Sequence, residues 1–255
     1  MHKIAKFFAA ALTAAVLAVS VSAAGHGWYV TYNGNAQPQL PPEFTFIESN
    51  GGIYLDKAHG DDNPEKVIYL TYDAGNENGN IAKILDILEA HNAKATFFEL
   101  ENLIKRDTDL VKRMFDDGHT VANHTMSHKN MAGQPREVFE AELHGLEALC
   151  LELTGREMAK IYRPPEGSFA ESDLDILSDM GYKTAFWSCA YADWDNDKQP
   201  SREAALDKLF GRLHNGEVLL LHPTSATNAA ILDEFLTTLE GRGYAFGSLE
   251  ALCAG

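Results

Sequence analysis

From Lys66 onward the chain alternates strand-like and helix-like signals, and this alternation constrains the fold more than any other feature. Val67-Ile68-Tyr69-Leu70-Thr71-Tyr72 is a β-rich run. Ile81, Ile84, Leu85 and Leu88 follow at the i, i+3, i+4, i+7 spacing of one helical face. Ala95 to Phe98 predicts a strand, Asp109 to Asp116 a helix stopped by Gly118, and Thr120 to Asn123 another strand. Pro135 to Leu153 predicts a long helix, with Pro near its start and Gly155 just past its end. Ile161 to Arg163, Thr184 to Trp187, Val218 to Leu221 and Tyr244 to Phe246 supply further strands, with helices from Ser172, Ser201 and Asn228 between them. Strands separated by helices pair in parallel, because a parallel crossover needs that length of chain. About seven such units in one chain favour a single-domain, distorted (β/α) barrel over an open sheet.

The segments before Lys66 read differently. Lys3 and Lys6, the apolar stretch from Phe7 to Val19, and the small-x-small triplet Val21-Ser22-Ala23 have the form of a signal peptide over residues 1–23. The apolar run is shorter than the roughly 20 residues that span a bilayer. A secreted, extracytoplasmic protein with no stable membrane insertion after cleavage is therefore expected. Residues 24–65 are rich in Gly, Pro, Asn and Asp and read as an irregular lead-in, with short extended pieces at Trp28 to Tyr32 and Gly52 to Leu55. The net charge of -16 offers no basic footprint for nucleic acid. No GxGxxG follows a strand, and neither a GxxxxGK(S/T) loop nor a GxSxG elbow is present, so dinucleotide, phosphate-loop and serine-hydrolase chemistries lose their main signatures. Cys150, Cys189 and Cys253 are an odd set with no metal spacing; they read as buried free thiols, or as one disulfide plus a thiol.

In a barrel of this kind the site lies at the C-terminal ends of the strands. Here those ends carry ionisable and aromatic groups: Tyr72-Asp73-Ala74-Gly75, His124-Thr125-Met126-Ser127-His128, Arg163-Pro164-Pro165, Tyr191-Ala192-Asp193-Trp194 and Leu221-His222. Each has an ordinary structural explanation. Asp73 before Ala-Gly suits a turn. His124 and His128 suit a surface pair on one helical turn, and the same spacing also lets two imidazoles reach one cation. Arg163 suits an ion pair and His222 a satisfied core histidine. Asp193 to Asp197 looks like a calcium loop but lacks the glycine and the closing glutamate. Five such groups at successive strand ends are harder to explain structurally.

The order and content of these segments resemble the polysaccharide deacetylases, the NodB-homology or family-four carbohydrate esterases. The resemblance runs from Lys66 to Leu252, and the stretches Tyr69 to Gly79 and Leu221 to Ala229 are similar to the delta-lactam-biosynthetic de-N-acetylase branch. It implies a NodB-type barrel as the catalytic domain, residues 66–255. It also implies removal of the N-acetyl group from N-acetylmuramic acid in peptidoglycan, leading to muramic delta-lactam, by a cell-wall-associated enzyme that takes the glycan strand as its partner and acts as a monomer. By position, Asp73 is implied as general base, Arg163 as its ion-pair partner and His222 as general acid, with Asp193 as the carboxylate that holds His222 protonated. His124 and His128 are implied as ligands of a divalent metal such as zinc. Tyr72, Tyr191, Trp194 and Pro164 are expected to wall the sugar. Three positions depart from the family pattern. Ala74 replaces an aspartate ligand, so the metal is expected to be weakly held. Ala190 replaces an acid, and Glu166 stands where an arginine suits a lactyl carboxylate. The alternatives are an N-acetylglucosamine deacetylase on peptidoglycan or chitin, or a catalytically silent glycan-binding homologue.

Overall fold

The computed structural model describes residues 25–254, and the segment read as a signal peptide lies outside the described residues. The lead-in supplies β1 (His26–Gly27), β2 (Thr31–Asn33), β3 (Ala36–Gln39), α1 (Phe46–Ser49) and β4 (Gly52–Ile53). Alternation begins with β5 (Lys66–Ala74), α2 (Ile81–Ala90), β6 (Ala95–Glu99), α3 (Glu101–Arg106), α4 (Thr108–Asp116) and β7 (Thr120–Asn123). It continues through α5 (Arg136–Thr154), β8 (Ile161–Tyr162), β9 (Ser168–Phe169), α6 (Glu171–Asp179), β10 (Lys183–Ala185) and β11 (Cys189–Ala190). The chain finishes with α7 (Arg202–Arg212), β12 (Glu217–Leu221), α8 (Ala226–Gly241), β13 (Tyr244–Phe246) and α9 (Leu249–Ala254).

The principal sheet is parallel, in the order β11-β12-β5-β6-β7-β8-β10-β4, with β13 beside the start of β5. One continuous stretch of chain carries both β10, which pairs with β8, and β11, which pairs with β12. That stretch draws the two ends of the sheet together, and a bridge from Leu55 to Glu217 reinforces the closure. The result is a curled, distorted (β/α) barrel.

Each face of β5 has its own burial partner, which explains its unbroken apolar run. Ile68, Leu70, Tyr72 and Ala74 pack outward against Ile81, Ile84, Leu85 and Leu88 of α2. Val67 and Tyr69 face the barrel interior with Phe98, Ala122, Ile161, Ala185 and Val218. Side chains alternate along a strand, so Asp73 continues the inward row and reaches the C-terminal mouth. Helix ends follow local chemistry. Gly155 closes α5 at φ +74°, a left-handed cap that L side chains disfavour. Ser201 Oγ caps α7 by accepting from Ala204 N, and Ser225 Oγ caps α8 by accepting from Asn228 N. This last cap starts α8 two residues before the expected Asn228.

The lead-in is less irregular than its composition implies. β4 joins the main sheet beside β10. Trp28 is buried and stacks on Phe186 with ring centroids 4.4 Å apart, in a cluster with Phe44, Ile47, Phe169 and Leu174. The lead-in therefore covers a flank of the barrel. Its strands are only two to four residues long: β4 falls within the extended piece expected at Gly52 to Leu55 and β2 overlaps the one at Trp28 to Tyr32, while β1 and β3 are too short for periodicity to reveal. All three cysteines are buried and free. Among the described residues no helix is long and apolar enough to cross a membrane.

Candidate active site

A cavity of about 780 Å³ opens at the C-terminal mouth of the barrel. Asp73 from β5, the two histidines after β7 and His222 after β12 all line it, together with Trp187, Tyr191 and Trp194. Groups spread over 150 positions of sequence meet there because parallel strands all present the same end at one face.

Asp73 and Arg163 form the first pair. The Arg163 Nη1 donates to Asp73 Oδ1 at 2.8 Å. Arg163 is fully buried, and its other donors are occupied: Nε by Ala185 O and Nη2 by Phe186 O. Its guanidinium also lies 4.1 Å from the centre of the Phe98 ring. Burial pushes the Asp73 carboxyl up, but the Arg163 charge, with that of His222 and the hydrogen bond from Arg163, outweighs it and holds the carboxyl below its ordinary range. Asp73 Oδ2 is left free of the arginine.

His222 and Asp193 form the second pair, and here Ala190 proves to be no obstacle. Asp193 Oδ1 accepts from His222 Nδ1 at 2.8 Å, and Oδ2 accepts from the His222 backbone N–H at 2.7 Å. Burial pushes the imidazole down, but the Asp193 hydrogen bond and charge, aided by Asp73, raise it above its ordinary value. With Nδ1 committed to Asp193, Nε2 is the nitrogen left for the cleft.

The two other histidines do not sit on a helical turn. The loop after β7 curls through left-handed backbone at Thr125 (φ +72°) and His128 (φ +57°), which brings the rings to 5.0 Å, edge to face. Thr125 is β-branched, so this conformation is strained. The Nδ1 of His124 lies 2.9 Å from the Arg163 carbonyl, which only accepts; the ring must therefore carry its proton on Nδ1. Burial pushes the His124 imidazole down to about 4, so it is neutral. Its bare Nε2 then faces Asp73 Oδ2 at 3.6 Å, two lone-pair acceptors with no proton between them. This is not an ion pair. It is a gap suited to a water or a cation. Ala74 is buried on the opposite, helix-facing side of β5. Among the described residues no group of three His, Cys, Asp or Glu could hold a metal.

The expected sugar wall divides. Tyr191 and Trp194 line the cavity, and Trp194 is 63% exposed. Tyr72 does not line it: the alternation that sends Asp73 inward sends Tyr72 outward, where it is fully buried and stacks on Phe97 at 5.1 Å. Pro164 is buried behind Arg163 and is absent from the lining. Sequence reasoning gave no role to Trp187, which lines the cavity beside Gly167, or to Asn228, which contacts Asp193. Trp187 lies in no motif, and Asn228, though within the stretch Leu221 to Ala229, shows its contact with Asp193 only in the fold. Glu166 reaches the lining from a strained backbone at φ +59°.

The family model described as polysaccharide deacetylase matches residues 60–185. The chain is 36% identical over 208 residues to the peptidoglycan-N-acetylmuramic acid deacetylase PdaA of Bacillus subtilis, covering 82% of this chain and 77% of that protein. The solved structure of that PdaA, described as a family 4 carbohydrate esterase, superposes with a TM-score of 0.83 at 33% identity, covering 89% of this chain and 96% of the other. A peptidoglycan-N-acetylglucosamine deacetylase of Bacillus cereus is 30% identical over 189 residues, 72% of this chain and 67% of that protein. With the barrel, the cleft and these likenesses together, the chain belongs to the polysaccharide deacetylase family, the family 4 carbohydrate esterases.

Proposed function

We propose that this protein is a peptidoglycan N-deacetylase that works outside the cytoplasmic membrane and releases acetate from N-acetylmuramic acid, with muramic delta-lactam as the eventual product. One observation carries the reading: an ionised carboxylate backed by Arg163 and an imidazole backed by Asp193 line a single cavity. A hydrolase needs both at once, whereas a glycan-binding surface needs neither. The kinship with PdaA supports the substrate.

Asp73 Oδ2 takes a proton from a water as the water oxygen bonds to the acetamide carbonyl carbon. The C–N bond then breaks while His222 Nε2 gives its proton to the departing nitrogen, leaving acetate and the sugar amine. Arg163 keeps Asp73 ionised and aimed until it takes that proton, and Asp193 holds His222 as the imidazolium until it gives its proton up. Tyr191 and Trp194 offer ring faces to the sugar. Amine and lactyl carboxyl on the same ring then condense, with loss of water, to the lactam. His124 and His128 are the residues that would hold a divalent cation; the neutral tautomer of His124 and its unprotonated Nε2 fit that role. Held there, such a cation would supply Lewis acidity to the acetamide and the attacking water. Two imidazoles fall short of the three protein ligands usual for catalytic zinc, so the cation would be weakly held.

A second reading changes the sugar to N-acetylglucosamine. It is favoured by the cavity charge: Glu166 lines it, and among the described residues no lysine or arginine does. A free lactyl carboxylate would meet repulsion there. Incubating the protein with peptidoglycan and divalent metal, then measuring acetate and weighing the digested sugars by mass spectrometry, tests both readings. Acetate with muramic acid lighter by one acetyl supports the first, and acetate with lighter glucosamine the second. No acetate under any metal rejects both.

A further inference from the structure

Asn228 is buried in the first turn of α8 and lies between the cleft wall and the second charged pair. Its Nδ2 donates to Asp193 Oδ2 at 2.5 Å and to the His222 carbonyl at 3.2 Å, while its Oδ1 contacts the Tyr191 hydroxyl. Chemistry fixes this amide the right way round. A carboxylate and a carbonyl only accept, so the nitrogen must face them, and the Tyr191 hydroxyl must then donate to the oxygen. The rest of the cage is equally complete. Asn228 N donates to Ser225 Oγ at 3.1 Å, Ser225 Oγ donates to Gln199 Oε1 at 2.5 Å, and Gln199 Nε2 donates to Asp193 O at 2.7 Å. Asp193 is thus clamped at its carboxylate by Asn228 and at its backbone by Gln199.

We propose that Asn228 is a positioning residue for the proton donor: it locks the Asp193 carboxylate onto His222 and ties both to Tyr191, a wall of the sugar cleft. The inference rests on the reading of His222 as general acid. Asp193 without this amide is free to rotate, and a rotated carboxylate no longer supports the imidazolium. Because the same amide accepts from Tyr191, a sugar packed on that ring steadies the donor that will protonate its nitrogen. The charged groups facing His222 are Asp193, Asp73 and Arg163, with His124, His128 and Glu166 lining the same cavity.

The test compares Asn228→Ala with the nearly isosteric Asn228→Asp, reading kcat, KM and the NMR titration of the His222 ring protons. Asn228→Ala is expected to lower kcat about 10- to 100-fold with little change in KM, as misplacement of a catalytic group does. Its His222 titration, and the alkaline limb of kcat with it, should move down by about one pH unit, the scale of one hydrogen bond to a charged group. Asn228→Asp keeps the shape and adds an acid beside Asp193, so the His222 titration should move up instead. Opposite shifts are the signature, because simple loss of packing would move both variants the same way. An unchanged His222 titration in both variants overturns the proposal, and should the alanine variant not fold, an unchanged titration in Asn228→Asp does so alone. The NMR readout needs no turnover. Opposite shifts in a wild-type background that releases no acetate would therefore sink the hydrolase reading and uphold the positioning one.

Discussion

The barrel buries polar clusters at both ends of its strands, and the two ends use similar residues differently. At the C-terminal mouth, Asp73, His124, Arg163, Asp193 and His222 surround an open cavity. At the N-terminal base, Asp56 accepts from Tyr69 Oη at 2.6 Å and Ala58 N at 2.9 Å, with His59 Nδ1 at 2.5 Å. Asn215 Nδ2 donates to the carbonyls of Gly60, Asn63 and Glu65, and Gln37 Nε2 to those of Asp56, His59 and Asn215. Gly216, at φ +71°, sits so close that a Cβ there would lie 2.2 Å from Asp56 O. The base is a staple that fastens the lead-in to the barrel, with polar groups turned onto backbone. The mouth spends its hydrogen bonds aiming side chains, and there Asp73 Oδ2 and His124 Nε2, both acceptors, face each other at 3.6 Å. A buried polar network becomes a reactive one only where some of its capacity is left for a visitor.

The sharpest way to break this comparison is to substitute one aspartate at each end. Asp73→Asn should cut acetate release by about 10²- to 10⁴-fold, the usual contribution of a general base. Asp56→Asn should leave turnover intact and lower the melting temperature by several degrees, since a buried donor left unpaired costs about 1–3 kcal/mol. Equal loss of turnover in the two variants would erase the distinction.

Next in size is Asp193→Asn. His222 is held above its ordinary pKa by Asp193, so the imidazolium persists below that raised value and disappears as pH climbs through it. Without the carboxylate, the alkaline limb of the rate profile should retreat to lower pH and kcat should drop about tenfold or more. An unmoved limb in this variant would mean that His222 is not the proton donor. Trp194→Ala should raise KM roughly two- to tenfold with kcat unchanged, matching the loss of one ring face. Tyr72→Phe should alter neither constant, because that hydroxyl is buried in the helix layer without a partner.

At the base, Glu217 supplies a pH effect on stability rather than on rate. Burial pushes its carboxyl up to about 8. The folded state thus keeps a proton that the unfolded chain loses near the ordinary carboxylate value. Its contribution is complete below that ordinary value and is lost as pH rises toward 8. Melting temperature should therefore decline by a few degrees between about pH 5 and 8, and Glu217→Gln should flatten the slope. A wild-type slope that persists in the glutamine variant would locate the effect elsewhere.

Much of this fold was legible because its elements carry their own periodicity. The stripe Ile81, Ile84, Leu85, Leu88 is the set of residues that α2 buries, and Pro135 and Gly155 flank α5 as helix-end chemistry requires. Helices α3 and α9, six residues each, escaped notice because they show too few turns for a pattern. The lead-in strands β1 and β3 are too short for the same reason, whereas β4 lies within the extended piece expected at Gly52 to Leu55. At the site, Asp73, His124, His128, Arg163, Asp193 and His222 could be named because they cluster at strand ends. Tyr72 was misplaced by adjacency: one residue along a strand reverses the face.

The sequence by itself determined the alternation, the parallel sheet that alternation demands, and the side chains available at each strand end, since these depend on contacts within a few residues. It could not determine which lone pairs oppose each other, that Asn228 faces Asp193 across 35 residues of chain, or that Asp193 pairs with His222 although Ala190 stands where an acid is usual. Those depend on how the curled sheet closes. Hydrogen bonds reach about 3 Å, and only the closed barrel sets distances to that tolerance.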